Sequence, residues 1–377
     1  MTQSPRPARI VIAPDSFTGT IDAAAAAEAL AAGWAGVRPG DAIVTRPMAD
    51  GGVGTLDVLA AATPGCERVP ITVTGPDDRP VDTHWLLLPD GTGVIELART
   101  SGLTLLDEPR PWTAHTIGVG EAIVAAVAHG VERLVVALGG SGSSDGGAGM
   151  LGALGSVFTG VPGRPPRGPA ELEVVTAVAA PRRRLRPVGG IIAWVDVTSP
   201  LTGEAGAAAV FGPQKGLTDP ADIARVDEIL TRYALMVSEA FRPANGGAAV
   251  DPATPGAGAA GGTGFALLAW GASLRSGAVA VADAIGLDAA LAGADLVITG
   301  EGRFDGQTAA GKVAHEVARR ADAAGTARAL VAGAISAEPR GFAEAVSLSE
   351  LAGSSGAAMS DPARWLRAAG AQLAQRF

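Results

Sequence analysis

The sequence predicts an α/β protein in which the N- and C-terminal segments share one domain and the middle of the chain is inserted into it. Three observations carry this. Short runs of branched apolar residues lead into glycine–aspartate loops and then Ala-rich helical stretches, over residues 9–34 and again over 42–61. Strand, glycine loop, helix, repeated, is the pattern of an open α/β domain. From about Val69 the texture changes to strands joined by turns at Gly75-Pro76-Asp77-Asp78 and Pro89-Asp90-Gly91, and from 294 to 333 the first pattern returns. The expected division is 1–67 with 288–377 as one domain and 68–287 as the inserted, mixed one.

Taken in order, Arg9–Pro14 reads as a buried strand of branched residues. It runs into Asp15-Ser16-Phe17-Thr18-Gly19-Thr20 and a helix over 21–34 that Thr20 or Asp22 caps. Ala42–Thr45 is a second strand, followed by the loop 47–55 and a helix through 61. Strands are expected over 71–74, 84–88, 94–98 and 133–138, with a helix over 118–129. The loop 139–147 opens a helix of small residues to 154, and 161–187, rich in Pro and Arg, reads as a surface excursion. Ile191–Val195 is a strand leading into Asp196. The stretch 241–264, dominated by Gly, Ala and Pro, is a mobile or a tightly packed loop. A strand over 294–299, a loop over 300–308, a helix over 312–321 and a strand over 329–333 complete the pattern.

With 377 residues, 47% of them hydrophobic and 18% charged, the chain can fill two ordinary cores and is not largely disordered. A formal net charge of -9 lacks the basic surface that nucleic-acid binding requires, yet leaves room for an anionic small substrate in a locally positive pocket. Cys66 is the single cysteine, which excludes an intramolecular disulfide and a multi-cysteine zinc site. Residues 1–9 carry basic residues and prolines but no apolar stretch of signal-peptide length, and no window approaches about 20 uninterrupted apolar residues. A soluble, cytoplasmic protein with neither nucleic acid nor membrane as partner is expected; the assembly considered is a homodimer.

Four strand ends terminate in Asp and Gly within a few residues. Any one of them is as readily a tight turn or a helix cap. Their recurrence points to ligands beyond the carboxyl ends of strands, where main-chain amides, helix N-termini and carboxylates gather. Amides suit phosphate; a carboxylate holds Mg²⁺ or accepts a hydroxyl proton; phosphoryl transfer needs little beyond charge neutralisation and in-line positioning. Gly306 to Val313 approaches a Walker A pattern, but Val313 stands where Ser or Thr would meet magnesium, so a standard P-loop is not expected. Lys312 there is either a phosphate-binding or a solvated lysine. Arg303 is a bidentate partner for carboxylate or phosphate, and Gln214-Lys215 offers a donor and a charge on a tight loop. The four histidines lack metal spacing, and neither Ser16 nor Ser141 sits in a nucleophile elbow with a partner histidine.

Taken together, these loops resemble the type I glycerate kinase family. Residues 13–20 are similar to its Ala-Pro-Asp-Ser-Phe-Lys-Gly-Ser opening, and Met48 to Thr55 matches Met-Ala-Asp-Gly-Gly-Glu-Gly-Thr at all but one place. Residues 139–149, 211–216, 256–262 and 300–308, with Gly311-Lys312, resemble further family segments, so the likeness runs collinearly from about 9 to 333. The resemblance implies transfer of the ATP γ-phosphate to a hydroxyl of glycerate, usually O2, with Mg²⁺. It also implies two unlike α/β domains, one flavodoxin-like and discontinuous, the other inserted, with the active site in the cleft between them.

On that reading Asp50 or Asp145 is the base, and Asp196 or Asp305 supports Mg²⁺. Lys312 and Lys215 neutralise transferring charge, and Arg303 binds a carboxylate or phosphate. Gly51, Gly52, Gly146, Gly147, Gly300 and Gly302 lend amides and room, while Asp15, Ser16, Phe17, Ser141, Gln214, Glu301, Gln307 and Thr308 complete the binding set. Thr18 stands where the family has Lys, Val53 where it has Glu, and Ser144 where it has Asn. These departures keep two alternatives open, a member acting on another hydroxy acid and a non-catalytic ligand-binding protein on the kinase fold. An NAD-dependent oxidoreductase is disfavoured, since no Gly-x-Gly-x-x-Gly follows the first strand.

Overall fold

The computed structural model describes residues 6–17, 19–161, 163–182, 186–305 and 313–377. These form two compact units, one from residues up to 50 with 57–63 and 278–377, the other from 51–56 and 64–277.

The first unit is built on a five-stranded sheet in the order Glu344–Ser347, Ala327–Ile335, Leu296–Phe304, Arg9–Pro14, Ala42–Thr45. All four pairings are parallel. Ile10, Val11, Ile12 and Ala13 are fully buried, as a parallel strand covered on both faces requires. Counted along the chain the order is 2-1-3-4-5, the flavodoxin-like winding, whose direction reverses between Arg9–Pro14 and Leu296–Phe304. The helix Ala23–Val37 starts where the Asp22 carboxylate accepts the Ala25 N–H at 2.8 Å. Its Leu30 and Trp34 enter a core with Ile10, Ile12, Ile298, Val331 and Leu366. It packs on the helix Pro362–Arg376 through two glycines: a Cβ on Gly33 would lie 1.9 Å from the Arg367 carbonyl oxygen, and one on Gly370 2.3 Å from that of Leu30.

One strand departs from expectation. Rather than ending at 299 before a loop, Leu296–Phe304 stays paired with its neighbour through Gly300↔Val331, Glu301↔Ala332 and Arg303↔Ala334. A Cβ on Gly300 would lie 2.4 Å from the Val331 oxygen, and one on Gly333 2.4 Å from that of Gly302. Glycine here permits two strands to approach closely instead of turning the chain. The tail beyond 333, for which the loops give no expectation, supplies the edge strand and the helices Leu348–Ala352, Ser355–Ser360 and Pro362–Arg376.

The second unit carries a six-stranded mixed sheet in the order Ser273–Ser276, Ile191–Val195, Arg133–Ala137, Thr92–Glu96, Pro80–Leu87, Glu67–Thr74. The first four strands run parallel and the last two pairings are antiparallel. The helix Pro220–Phe241, capped by Asp219, buries Val226, Ile229, Leu230, Tyr233, Val237 and Phe241 at helical spacing. The Pro- and Arg-rich excursion is not wholly irregular: it holds the helix Gly168–Leu172 and the strand Ala177–Ala179, paired with Val157–Thr159. The Gly-rich stretch before 264 proves to be a tight packing element at the start of the helix Ala259–Trp270. Ala260, Gly261 and Gly262 take φ of 53, 65 and 95°, and a Cβ on Gly261 would lie 2.1 Å from the Ser143 oxygen. Among the described residues no helix is long and apolar enough to cross a membrane.

Candidate active site

In the first unit the chain end of Arg9–Pro14 and the second half of Leu296–Phe304 flank the point where the winding reverses, the place where open α/β sheets hold ligands. A cavity of about 490 Å³ opens there, lined by Asp15, Ser16, Phe17, Asp50, Glu301, Gly302 and Arg303 from three separated stretches of chain. Its farther wall comes from the tail: Leu348, Ser349, Ser355, Ala358, Met359 and Pro362. The Asp15 N–H donates to the Gly300 oxygen at 2.8 Å, tying the turn to the neighbouring strand. Asp15 Oδ1 accepts the Ser16 N–H at 2.6 Å, and Phe17 closes the turn by donating to Ile21. Burial, then the negative charges of Asp50 and Glu301, push the Asp15 carboxyl well above the usual range, against the hydrogen bonds from Ser16. Strand periodicity puts Glu301 and Arg303 on one face. Asp50 and Arg303 line this cavity together, and Asp145 does not line it.

In the second unit Asp145 is fully buried. Its Oδ2 accepts the Thr116 N–H (2.9 Å), the Thr116 hydroxyl (2.8 Å) and the Gly149 N–H (3.1 Å), while Oδ1 accepts the Gly147 N–H (3.0 Å). The Thr116 oxygen in turn accepts the Met150 N–H at 3.0 Å. The start of the helix Ala148–Ala153 is therefore capped from within. Gly146 donates to the Gly261 oxygen at 2.9 Å. Two amides expected to face a ligand, those of Gly146 and Gly147, are thus engaged inside the fold, because a buried N–H takes the nearest acceptor. Lys215 is corrected likewise. It is 2% exposed, its Nζ donates to the Ser143 oxygen at 2.5 Å, and burial lowers its pKa to about 8 against the pull of Asp145. Ser141 Oγ sits beside it, accepting the Ser143 N–H at 3.2 Å, whereas Gln214 is exposed.

The loop 51–56 is held in the same unit. A Cβ on Gly139 would lie 2.1 Å from Gly52 Cα, and the Gly139 N–H donates to the Gly51 oxygen at 3.1 Å. Asp196 Oδ1 accepts the Ser276 hydroxyl (2.7 Å) and the Gly277 N–H (3.0 Å). Asp305 belongs to the first unit, where it lines a different cavity with Phe304, His315 and Phe342. Among the described residues no group of three or more His, Cys, Asp or Glu is arranged to hold a metal ion. Gln307, Thr308 and Lys312, together with Thr18, lie outside the described residues.

A model of the glycerate kinase family matches residues 10–377. The chain belongs to the glycerate kinase family. It is 42% identical over 336 residues to the glycerate kinase of Bacillus subtilis (strain 168), covering 87% of this chain and 85% of that relative. It is 38% identical over 312 residues to the glycerate 2-kinase of Escherichia coli (strain K12), covering 81% and 80%. A crystal structure from Salmonella typhimurium LT2, assigned as glycerate kinase 2, superposes with a TM-score of 0.77 at 35% identity, covering 98% of both chains.

Within this glycerate kinase family chain, loop-by-loop reading misses Glu96 and Thr116. Glu96 is 2% exposed, and its carboxylate accepts the N–H groups of Gly54 (3.1 Å) and Leu56 (3.0 Å), with Arg99 at 3.6 Å. It anchors the glycine loop from the carboxyl end of a neighbouring strand, a position that could have flagged it. Thr116 carries no signal beyond its place before an apolar helix. Of the departures from the family pattern, Val53 is 55% exposed and Ser144 is buried.

Proposed function

We propose that this protein transfers the γ-phosphoryl group of ATP, with Mg²⁺, to a hydroxyl of D-glycerate, at O2 to give 2-phosphoglycerate. The observation that carries the reading is the cavity at the winding reversal, where Asp15 and Asp50 meet Arg303 in a chain of this family. The accepting hydroxyl gives its proton to Asp50, beside an Asp15 carboxyl that burial and its acidic neighbours keep protonated above the usual range. Arg303, exposed at the rim, meets anionic charge as phosphoryl moves. Asp305 or Asp196 would be the carboxylate that supports Mg²⁺ bound with the nucleotide, and such an ion would neutralise phosphate charge. Asp145 and Lys215 act as positioning residues that fix the loop 139–147. The working location is the cytoplasm.

The test is a coupled assay with ATP, Mg²⁺ and D-glycerate that resolves 2- from 3-phosphoglycerate. Formation of 2-phosphoglycerate is expected; ATP binding without any phosphorylated acid would overturn the reading. A second reading, action on a different hydroxy acid, rests on Val53, whose exposed apolar side chain replaces an acid of the family pattern. A panel of larger hydroxy acids in the same assay decides it, and efficient turnover of glycerate alone excludes it.

A further inference from the structure

The chain around Asp50 is tied down on both sides. Upstream, Met48 and Ala49 are buried, and the Met48 N–H donates to the Pro14 oxygen at 2.8 Å. Downstream, the Gly51 oxygen accepts the Gly139 N–H at 3.1 Å, and the Gly52 oxygen accepts the Thr55 hydroxyl at 2.7 Å. The firmest tie follows: Glu96 Oε1 accepts the Gly54 N–H at 3.1 Å and Oε2 the Leu56 N–H at 3.0 Å. Glu96 ends the strand Thr92–Glu96, which is buried along its whole length and paired on one side with Pro80–Leu87 and on the other with Arg133–Ala137. Glu96 is itself buried, and Arg99 at 3.6 Å offsets its charge.

A buried carboxylate is costly unless it is hydrogen-bonded, and starting a helix does not call for one from a distant strand. The helices Ala23–Val37, Pro220–Phe241 and Pro362–Arg376 are each started by the aspartate just before them, Asp22, Asp219 and Asp361. The helix Thr55–Ala62 instead takes the acceptor for its Leu56 N–H from a strand residue 40 positions away. What this adds over a local cap is stiffness. Two charge-assisted bonds, one to each carboxylate oxygen, fix both the place and the tilt of the loop against the interior of a sheet. Asp50 precedes that loop by one peptide bond, so a shift at Gly54 and Leu56 is passed back to it through Gly51, Gly52 and Val53. A misplacement of about 1 Å at a reacting group costs about 10²-fold in rate. Resting on the reading of Asp50 as the base, we infer that Glu96 is a positioning residue for phosphoryl transfer. It touches neither nucleotide nor acid, and acts by holding the loop that sets the Asp50 carboxylate.

The experiment is a double-mutant cycle on the full chain, read in the coupled assay with ATP, Mg²⁺ and D-glycerate. It compares Glu96→Ala, Asp50→Asn and the two together, with Glu96→Gln alongside. Glu96→Gln keeps one acceptor oxygen and nearly the same volume, so it carries the cycle if Glu96→Ala melts well below the parent. Glu96→Ala is expected to lower kcat by about 10–100-fold, with KM for ATP and for D-glycerate held within about twofold. Glu96→Gln is expected to lose less. In the Asp50→Asn background, Glu96→Ala is expected to cost at most about twofold more, since a group that acts through Asp50 has nothing left to place. Equal losses in both backgrounds, or a kcat untouched by either Glu96 variant, overturn the inference and leave the kinase reading standing. A loss seen only as a raised KM assigns Glu96 to binding and overturns the inference as well. A parent chain that never phosphorylates glycerate removes the kinase reading, and the inference with it.

Discussion

Two ionisable side chains, Asp15 and Lys215, carry opposite pH signatures. Asp15 has its proton affinity raised in the folded state, first by burial and then by Asp50 and Glu301. The folded state then binds more protons than the unfolded chain above the ordinary carboxylate range, so this group's contribution to stability falls as pH rises through that window. Asp15→Asn should melt higher than the parent at pH 8, with the difference vanishing near pH 4; equal melting at pH 8 would contradict the assigned environment. Lys215 behaves in reverse. Its pKa drops from 10.5 to about 8, so the unfolded chain binds the extra proton between those values and stability rises with pH across them. The cost below pH 8 is about 3 kcal/mol. The stability difference between Lys215→Met and the parent should shrink by that amount from pH 7.5 to 10.5 in denaturant titrations, and a pH-independent difference would refute it. For catalysis, Asp50→Asn is expected to cut turnover by about 10²–10⁴-fold with folding intact. Asp50 and Arg303 follow strands of one α/β pattern, and both line one cavity, whereas Asp145, grouped with them by the same loop chemistry, does not. That Asp145 and Lys215 point inward was not legible in the sequence, because a glycine loop around a charge has the same composition whether its amides face a ligand or its own carboxylate.

At the level of elements, glycine decides both what could be read and what is most easily broken. The strands Arg9–Pro14, Arg133–Ala137 and Ile191–Val195 announce themselves as branched apolar runs. The second half of Leu296–Phe304 does not, since Gly300 and Gly302 look like a turn, although Gly300 lets Ala327–Ile335 approach. The same ambiguity sits in the helix Ala23–Val37, where Gly33 and Gly36 are indistinguishable by sequence. A Cβ on Gly33 meets the Arg367 oxygen at 1.9 Å, whereas one on Gly36 meets nothing within 4 Å. Gly33→Ala must push the Pro362–Arg376 helix away and is expected to cost about 1–3 kcal/mol. Gly36→Ala gains helix propensity and is expected to stabilise by about 0.5–1 kcal/mol. Thermal melting of the two variants side by side checks this, and a Gly33→Ala protein as stable as the parent would show that the two helices do not cross at these glycines.

For the whole molecule the decisive feature is how far apart in sequence the partners of each sheet lie. An interior strand of the first unit, Arg9–Pro14, pairs with Ala42–Thr45 and with Leu296–Phe304, so its sheet cannot close until the last third of the chain is available. The second unit draws its six sheet strands from the contiguous stretch 64–277 and builds its core around Trp85, Leu134, Met150, Tyr233 and Phe265. Loop closure has to be met before distant contacts return anything, and its entropy grows with the length closed. Refolding should therefore protect the amides of Arg133–Ala137 and Ile191–Val195 before those of Arg9–Pro14 and Leu296–Phe304. Pulse-labelled hydrogen exchange read by mass spectrometry resolves these segments. Because Arg9–Pro14 has a local neighbour in Ala42–Thr45, the sharp form of the prediction concerns timing: Arg9–Pro14 should gain protection together with Leu296–Phe304, not with Ala42–Thr45 alone. Early protection of the N-terminal pair, ahead of residues 133–195, would mean that local pairing outweighs the closure cost, and the order argued from topology would fail.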